Sequence, residues 1–479
     1  MKSTAHAFIA NSREALLDAD LQRALAKMGF LAARTRAVQN LPEWDAIRAN
    51  AREIKEHTLA HLDYYLERFE AGVEANGGQV HWCSTPAEAS GAVLKILRAA
   101  GARRVTKGKS MAGEEFGINE ALEANAINRL ETDLGEYIIQ LAGEPPSHII
   151  APAIHKTKEQ ITELFSAHHA AYGKTEPVTG VASIVNEARE VLREGFLAAD
   201  AGITGANFLI AETGSICLVT NEGNGDLSST LPRVHIVTAG IEKIVPSLED
   251  LSVFLRLLAR SATGQEQSVY TTLISGARRH EDLDGPAQFH VVLVDNGRSE
   301  WLGNEFHEML RCIRCGACIN HCPVWNSIGG HAYGWVYPGP MGSVLTPLLQ
   351  GLEEAHHLPH ACTMNGRCQT VCPMSIPLPS LLRRLRFRSH EQGLTGRVAA
   401  LALKIWGQVA QRPRLYHGLS RIGIAALKRM GGGKGYLRRM PLASAWTDSR
   451  DFPAPSGQTF MAGWKARQDG RGCRQDGRG

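Results

Sequence analysis

Seven of the ten cysteines lie between residues 312 and 372, and their spacing is suited to holding iron–sulfur clusters. The first half of this segment has the pattern C-x2-C-x2-C-x3-C-P, formed by Cys312, Cys315, Cys318, Cys322 and Pro323. This is the spacing of bacterial two-cluster ferredoxins. Gaps of two residues let three thiolates of one tight loop reach three irons of a cubane, whereas the fourth points toward a second cluster. The pattern therefore predicts a 4Fe–4S centre and a second half that completes it.

The second half is present in altered form, with the pattern C-x5-C-x3-C-P made by Cys362, Cys368, Cys372 and Pro373. Asn365 stands where a full second half would carry a cysteine, and the spacing resembles the 3Fe–4S half of succinate dehydrogenase iron–sulfur subunits. Because the last cysteine of each half crosses to the other cluster, two ligand sets follow. The first is Cys312, Cys315, Cys318 and Cys372, and the second is Cys322, Cys362 and Cys368. We predict one 4Fe–4S cluster, and a second that is either 3Fe–4S or 4Fe–4S with one non-cysteine ligand.

Zinc and disulfides account for the cysteines less well. Structural zinc takes four ligands, commonly from paired C-x2-C modules, and seven cysteines in a crossed pattern do not fit that arrangement. Disulfide frameworks belong to secreted proteins, and the N-terminal sequence lacks the apolar stretch of a signal peptide. The nearby histidines are more often surface or packing residues, so we leave them out of the ligand set. Iron–sulfur pairs of this kind move single electrons, and the region is predicted to be an electron relay.

The segments before the cysteines must position them, and these segments change character along the chain. Apolar residues at helical spacing predict amphipathic helices over residues 1–64. From Gly78, short β-rich runs alternate with helical stretches, which predicts an α/β domain with a largely parallel sheet covered on both faces. The predicted strands include 80–83, 104–108, 207–212, 215–220, 233–240, 268–275 and 289–296.

The α/β segment contains neither G-x-G-x-x-G after a strand nor G-x4-G-K-[ST], so nothing supports a dinucleotide or P-loop site. Its glycine-rich candidates are 108–110, 212–215 and 220–225, each at or just beyond the end of a predicted strand, where open α/β sheets bind ligands. Lys107 and Lys109 could hold an anion there, and Glu212 or Glu222 could act as base or nucleophile. The alternative is that these are turn glycines beside solvated charges.

The charge is distributed unevenly along the chain. From Pro373 onward there are 20 Lys+Arg against 5 Asp+Glu, whereas the preceding residues carry 32 against 43. Two basic amphipathic stretches follow the cysteines, and docking to an acidic partner or to an anionic membrane surface is a reasonable hypothesis for them. No recognised nucleic-acid motif accompanies the charge. No apolar run approaches the ~18–20 residues that span a bilayer, so we expect a cytoplasmic protein, either free or peripheral on the cytoplasmic face of the membrane.

Several long runs resemble the lactate-utilisation iron–sulfur protein family. They are residues 132–156, the segment 211–246, the paired cysteine halves and the motif at 449–455. The resemblance implies a lactate-utilisation (LUD) α/β domain at 65–297, similar in fold to the sugar-phosphate isomerase and CoA-transferase group. It also implies partner subunits of a system that oxidises L-lactate to pyruvate. Asn365 departs from the family pattern, which usually has a cysteine there.

These observations predict the following division of the chain: N-terminal helices at 1–64, the α/β domain at 65–297, a small α-helical two-cluster ferredoxin-like domain at 298–394, a basic helical region at 395–467 and a disordered tail at 468–479. We expect an electron-transfer subunit of an L-lactate-oxidising complex that carries two iron–sulfur clusters. The alternative is a self-contained enzyme acting on acyl or sugar-phosphate substrates, with structural or redox-sensing clusters. Its catalytic residues are unknown beyond the candidates Glu212 and Glu222.

Overall fold

The computed structural model describes residues 2–27, 29–440, 446–448 and 450–469. The chain forms two compact units, one up to Gln392 and one from Gly393 onward. Each unit is described by itself below. Most of the segment predicted to be disordered, from residue 470 to the end, lies outside the described residues.

The chain begins with five helices joined by short turns. They are α1 (Phe8–Leu17), α2 (Ala19–Leu25), α3 (Phe30–Gln39), α4 (Trp44–Ala60) and α5 (Leu62–Ala75). The Asp18 side chain caps α2 by accepting hydrogen bonds from the amides of Asp20 and Leu21, which satisfies donors that an α-helix leaves free at its start. Helix α4 buries one face, including Trp44 and Ile47, and exposes its charged residues, as its amphipathic sequence predicts.

Ten strands follow, and six of them form an all-parallel sheet. The strands are β1 (Gln79–Cys83), β2 (Arg104–Lys107), β3 (Asn128–Glu131), β4 (Ala201–Gly205), β5 (Phe208–Ile210), β6 (Ser215–Thr220), β7 (Val234–Gly240), β8 (Ile244–Val245), β9 (Tyr270–Ile274) and β10 (Gln288–Val294). The parallel sheet has the order β1-β10-β7-β4-β2-β3. Every residue of β7 is buried, as expected for a central strand covered on both faces. The predicted α/β class is confirmed.

Eight helices pack around the strands. They are α6 (Pro86–Ala99), α7 (Met111–Glu115), α8 (Ile118–Ala124), α9 (Leu134–Ala142), α10 (Lys158–His169), α11 (Val181–Leu197), α12 (Asn224–Thr230) and α13 (Leu248–Ala262). Short 3-10 turns add to the chain at Ala5–Ala7, Ala170–Tyr172, Ile241–Lys243, Ser299–Trp301, His307–Arg311, His331–Tyr333, Leu358–His360 and Gly432–Lys434.

The structure refines the predicted sheet by placing four strands in a second, smaller sheet of order β8-β5-β6-β9. In it β5 and β6 are antiparallel, as are β6 and β9. The connection between β5 and β6 is a tight turn in which Gly214 has φ 66°, and so short a link can only join antiparallel neighbours. Strands β3, β4 and β8 have no counterpart among the predicted strands.

The cysteine-rich region (residues 298–394) is helical. Its helices are α14 (Ala317–Asn320), α15 (Pro323–Ile328), α16 (Gly339–Gln350), α17 (Leu352–Ala355), α18 (Arg367–Val371) and α19 (Leu378–Glu391). Their apolar side chains join those of the N-terminal helices in one core, which contains Trp44, Trp325, Tyr333 and Leu381. The region therefore does not pack alone.

The C-terminal unit contains α20 (Arg397–Ala410), α21 (Pro413–Gly431), the short strands β11 (Tyr436–Leu437) and β12 (Phe452–Pro453), and α22 (Phe460–Gln468). Helix α20 buries none of its residues, and Trp406 on it is 64% exposed. Among the described residues, no helix combines the length and the apolar character needed to cross a membrane.

Candidate functional site

The first cysteine loop is shaped by two residues in the left-handed backbone region. Arg314 has φ 57° and Gly316 has φ 73°, so the chain turns sharply on either side of Cys315. A Cβ on Gly316 would lie 2.6 Å from Cδ1 of Ile150 in the α/β segment. Glycine is therefore required at residue 316 both by the backbone angle and by the close approach.

Four thiols meet around one small cavity. Cys312, Cys315 and Cys318 line it from the first half, and Cys372 reaches it from the second half. The remaining lining is almost wholly apolar and includes Met309, Met341, Ile376 and Leu378. This grouping matches the first ligand set that the crossed spacing predicts, and it places those four sulfurs in a dry environment. We refer to it as the first thiol group.

Cys322, Cys362 and Cys368 make up the second thiol group. Burial, followed by the charges of Cys362 and Cys322, raises the pKa of Cys368 to about 12. Two of the sulfurs accept backbone hydrogen bonds, from Trp325 N to Cys322 Sγ at 3.5 Å and from Met364 N to Cys362 Sγ at 3.2 Å. Amide donors to sulfur are one means by which a protein adjusts an iron–sulfur centre.

The second cysteine loop repeats the backbone of the first. Met364 has φ 58° and Gly366 has φ 78°, which reproduces the pair of left-handed residues in the first loop. Asn365 thus occupies the position that corresponds to Cys315. Its side chain is exposed, and its Oδ1 accepts a hydrogen bond from Arg367 N at 3.0 Å.

The donor set fits iron–sulfur clusters. Burial is the largest cause that raises the pKa of Cys315 and Cys318, and neighbouring cysteines raise it further because clustered thiolates repel one another. A positively charged iron centre reverses this preference, because it stabilises the thiolate form of its ligands. Each thiol group would hold one cluster and supply a centre for one-electron transfer. The described cysteines are all free of disulfides.

Two arginines of the N-terminal helices lie beside the first thiol group. Nothing in the sequence indicated this contact. Arg34 Nη2 donates to the carbonyl of Val371 at 3.0 Å, and Arg48 Nη2 donates to the carbonyl of Cys372 at 2.7 Å. Arg34 is also close enough to Cys315 for their charges to interact. These arginines place positive charge beside the predicted cluster, although about 260 to 340 positions separate them from its predicted ligands.

A larger cavity lies next to the first thiol group, at the carboxyl ends of β2, β4 and β7. It has a volume of about 310 Å³, and Cys315 forms part of its wall. Gly108, Gly205 and Gly240 line it where their strands end. We call it the sheet-edge cavity. Open parallel sheets bind their ligands at this edge.

The sheet-edge cavity contains some of the predicted site residues and not others. Glu222 and Lys109 line it, and Lys109 Nζ lies 3.3 Å from a carboxylate oxygen of Asp133. Glu212 lies outside it, exposed, and accepts a hydrogen bond from the amide of Leu248. Lys107 is buried away from it and is paired with two carboxylates, those of Glu114 at 2.8 Å and Glu131 at 3.0 Å. The catalytic roles of Glu212 and Glu222 stay predictions.

A buried charge network connects the sheet-edge cavity to the first cysteine loop. Arg298 lies 2.7 Å from Glu115 and 2.8 Å from Glu242. Arg314, between Cys312 and Cys315, lies 3.2 Å from Glu242 and stacks on the ring of Tyr337 at 4.7 Å. The two arginines hold the pKa of Glu242 down at about 2 against its burial. Arg314 occupies an unspecified position of the first cysteine pattern, and no recognised motif singles out Glu115, Glu242 or Arg298, so the sequence alone did not point to this network.

Lys243 also faces the sheet-edge cavity. Burial lowers its pKa to about 8, and the nearby Glu242 opposes that effect. Within the part of the chain that the structure describes, Lys243 Nζ makes no hydrogen bond or ion pair.

Three family models match successive parts of the chain: the LUD domain at 66–294, the 4Fe-4S dicluster domain at 308–376, and the C-terminal domain of lactate utilisation protein B at 389–469. Lactate utilization protein B of Shouchella clausii (strain KSM-K16) is 46% identical over 434 residues, covering 90% of both chains. The protein of that name from Bacillus pumilus (strain SAFR-032) is 42% identical over 98% of this chain and 99% of its own. The uncharacterized electron transport protein YkgF of Escherichia coli (strain K12) is 43% identical over 91% of both chains.

The matches agree with the residues that carried the resemblance, and the dicluster match falls on the two thiol groups. They confirm iron–sulfur clusters as the cofactor class. The chain belongs to the lactate utilization protein B family of iron–sulfur proteins.

Proposed function

We propose that this chain relays electrons from the oxidation of L-lactate through its two iron–sulfur clusters to an acceptor, as a subunit of a lactate-oxidising complex. The observation that supports this best is the crossed grouping of the thiols, in which Cys372 of the second half joins three cysteines of the first. A purely structural role would need one metal site, whereas two adjoining sites suit a path for electrons. The predicted division at 65–297, 298–394 and 395–467 is part of the proposal.

The stoichiometry of the reaction suits a pair of one-electron centres. Oxidation of L-lactate to pyruvate breaks the C2–H and O–H bonds, forms a C=O bond and releases two electrons and two protons. Each cluster carries one electron at a time, and other lactate-utilisation subunits and an acceptor complete the path. The names of the relatives, which refer to lactate utilization and electron transport, are in keeping with this assignment.

Cys315→Ser tests the relay. In the complex purified with its partner subunits, we expect the variant to lose lactate-dependent reduction of an artificial acceptor and to abolish growth on lactate, while circular dichroism shows the α/β segment still folded. Cys83→Ala, at a cysteine of β1 that belongs to neither thiol group, is the control and should retain activity. Growth on lactate that survives Cys315→Ser would refute the relay and favour the self-contained enzyme.

We further propose that the second thiol group holds a 3Fe–4S cluster, because Asn365 offers no thiolate and its exposed side chain already accepts a hydrogen bond from Arg367 N. The first thiol group would hold a 4Fe–4S cluster.

The C-terminal unit is proposed to bind an anionic membrane surface on the cytoplasmic side. Helix α20 exposes Leu401, Ile405 and Trp406, and α21 exposes Ile422. The unit also carries most of the basic residues that follow Pro373. An apolar face with tryptophan beside Lys and Arg is the composition of helices that lie in a membrane interface.

Co-sedimentation with phospholipid vesicles tests this binding. We expect the full chain to sediment with anionic vesicles and to remain in solution with neutral ones, and Trp406→Glu to weaken the binding. Leu283→Glu, a fully exposed position in the first unit, is the matched control. Failure to sediment with either vesicle would exclude the membrane and leave an acidic partner protein as the occupant.

A further inference from the structure

The end of the sheet-edge cavity beside the first cysteine loop carries a charge imbalance that points to an anionic ligand. Lys243, Arg298 and Arg314 line it, and the carboxylates within ion-pair distance of the two arginines are those of Glu115 and Glu242. At this end of the cavity three cations thus face two anions, and the other charged residues of the lining, Lys109, Asp133 and Glu222, interact with one another. Burying an unbalanced charge is costly unless a partner compensates for it.

Two nitrogen donors at this end of the cavity are available to such a partner. Lys243 Nζ has no hydrogen bond or ion pair among the described residues. Nη1 of Arg314 is buried, and it too lacks a hydrogen-bond partner in that part of the chain. An ammonium and a guanidinium close together are suited to the two oxygens of a carboxylate.

We propose that the sheet-edge cavity binds a small carboxylate anion between Lys243 and Arg314, beside the cluster held by the first thiol group. The volume of about 310 Å³ lies at the lower end of the range for small-molecule sites. The identity of the anion rests on the proposed function: a 2-hydroxy or 2-oxo monocarboxylate, as lactate and pyruvate are.

Further polar groups in the cavity can meet the rest of such a molecule. The hydroxyls of Ser110 and Thr238 lie 3.2 Å apart on its wall, and the side chain of Asn207 lies there too. Hydroxyl and amide groups can donate to or accept from the 2-hydroxyl or 2-oxo oxygen. Because Cys315 forms part of the same wall, the bound anion would lie next to a ligand of the cluster, without a second protein between them.

The positive charges of Lys243 and Arg314 have an alternative role, which the experiment must distinguish from anion binding. A cluster held by four thiolates carries negative charge of its own, and Lys243 is near enough to Cys312 for their charges to interact. The cations would then adjust the cluster and bind no ligand. The two roles differ in whether loss of Lys243 changes anion binding or only the reduction potential.

Equilibrium dialysis of the full chain with assembled clusters, against radiolabelled L-lactate and pyruvate, tests the proposal. We expect saturable binding of at least one of them, weakened about 10-fold or more in Lys243→Met because a charge-assisted bond is lost. Lys243→Arg should restore most of the affinity. Lys95→Met, an exposed lysine on α6, is the matched control. If Lys243→Met does not assemble its clusters, Lys243→Gln replaces it.

Three results would overturn the site: no saturable binding of either anion, binding that is unchanged in the neutral variants, or a changed reduction potential with unchanged binding. The last result would assign the cations to the cluster. Dialysis involves no turnover and no acceptor, so a failure of the relay, seen in the acceptor assay with Cys315→Ser, would not be mistaken for a failure of this site.

Discussion

At the scale of single residues, the difference between the two cysteine loops is the substitution at position 365. Both loops have the same pair of left-handed residues, so the backbone prepares position 365 as it prepares Cys315. What differs is the donor, because an amide engaged with Arg367 N replaces a thiolate. A cysteine introduced at position 365 would therefore have the same backbone conformation on either side as Cys315 has in the first loop.

Asn365→Cys is therefore expected to convert the second centre to 4Fe–4S. The purified variant should contain one further iron per chain and should lose the paramagnetic signal that an oxidised 3Fe–4S cluster gives in electron paramagnetic resonance. Asn365→Ser, which supplies no thiol, is the control and should behave as the wild type does. If the wild type already shows full iron loading and no such signal, the 3Fe–4S proposal is wrong.

The residues that could be predicted were those whose chemistry follows from local spacing. The crossed grouping of the cysteines was available from the two patterns alone, because ligand loops are short and their geometry is local. Arg34 and Arg48 were not predictable, since tertiary packing brings them to Cys372 from helices near the start of the chain. The same holds for Glu242 and Arg298, which lie beyond different strands and meet only when the sheet forms.

At the scale of elements, the loop after Cys315 and the segment before α10 are built against each other. Gly316 packs on Ile150, and His148 Nε2 bonds the side chain of Asn320 in α14 at 2.9 Å. The pKa of His148 is lowered to about 4 by burial, so it stays neutral and hydrogen-bonded at neutral pH. The α/β segment therefore supports the first cysteine loop directly.

Gly316→Ala should destabilise the first thiol group. The added Cβ meets Ile150 at 2.6 Å and sits on a residue with φ 73°, so we expect a loss of about 1–3 kcal/mol and incomplete loading of one cluster. Gly91→Ala, in α6 with open space around it, is the control and should be neutral or stabilising by up to ~1 kcal/mol. Thermal unfolding and iron analysis measure both effects. Equal behaviour of the two variants would contradict the close packing.

The central strand β7 introduces a dependence of stability on pH. Burial lowers the pKa of His235 to about 3, and its Nε2 lies 2.8 Å from Thr204 Oγ1. Its usual pKa is about 6.5, so below pH 6.5 the unfolded state binds a proton that the folded state does not. Stability should fall as the pH decreases through 6.5, by about 1.4 kcal/mol for this histidine between pH 7.5 and pH 5.5.

Urea unfolding of the wild type and His235→Gln between pH 7.5 and 5.5 measures this contribution. The variant is expected to be less stable at pH 7.5 but to lose less stability on acidification. Parallel curves for the two proteins would show that His235 is not the group responsible.

The elements that the sequence analysis found were those with strong alternation or helical periodicity, such as β7, β10 and the basic helices α20 and α21. Strand β3 is polar at its start and β4 is rich in glycine, so neither has the β-branched, apolar composition of a typical strand. Both are strands because their neighbours in the parallel sheet supply the hydrogen bonds and the cover.

At the scale of the whole molecule, the N-terminal helices and the cysteine-rich region share one apolar core within the unit that ends at Gln392. The cysteine-rich region has few large apolar residues of its own in its ligand loops, and the helices from the start of the chain complete its packing. The C-terminal unit is separate from this core.

Two truncations test this organisation. A chain that ends after Gln392 should fold and keep both clusters, because α19 ends at Glu391, but should no longer sediment with anionic vesicles. A chain that begins at Leu62 retains all seven clustered cysteines yet should fail to assemble the first cluster, because it lacks Arg34, Arg48 and the core residues of α4. Iron and sulfide contents of the two products give the answer, and normal cluster content in the second would contradict the shared core.

Arg314 belongs to two structures at once, since it stands between Cys312 and Cys315, two predicted cluster ligands, and is paired with Glu242 in the wall of the sheet-edge cavity. A change of charge on the cluster therefore changes, through this side chain, the free energy of anion binding in the cavity. Such coupling is reciprocal. The factor by which reduction of the cluster weakens anion binding is also the factor by which the bound anion disfavours that reduction. Reduction of the cluster therefore favours release of the anion from the sheet-edge cavity.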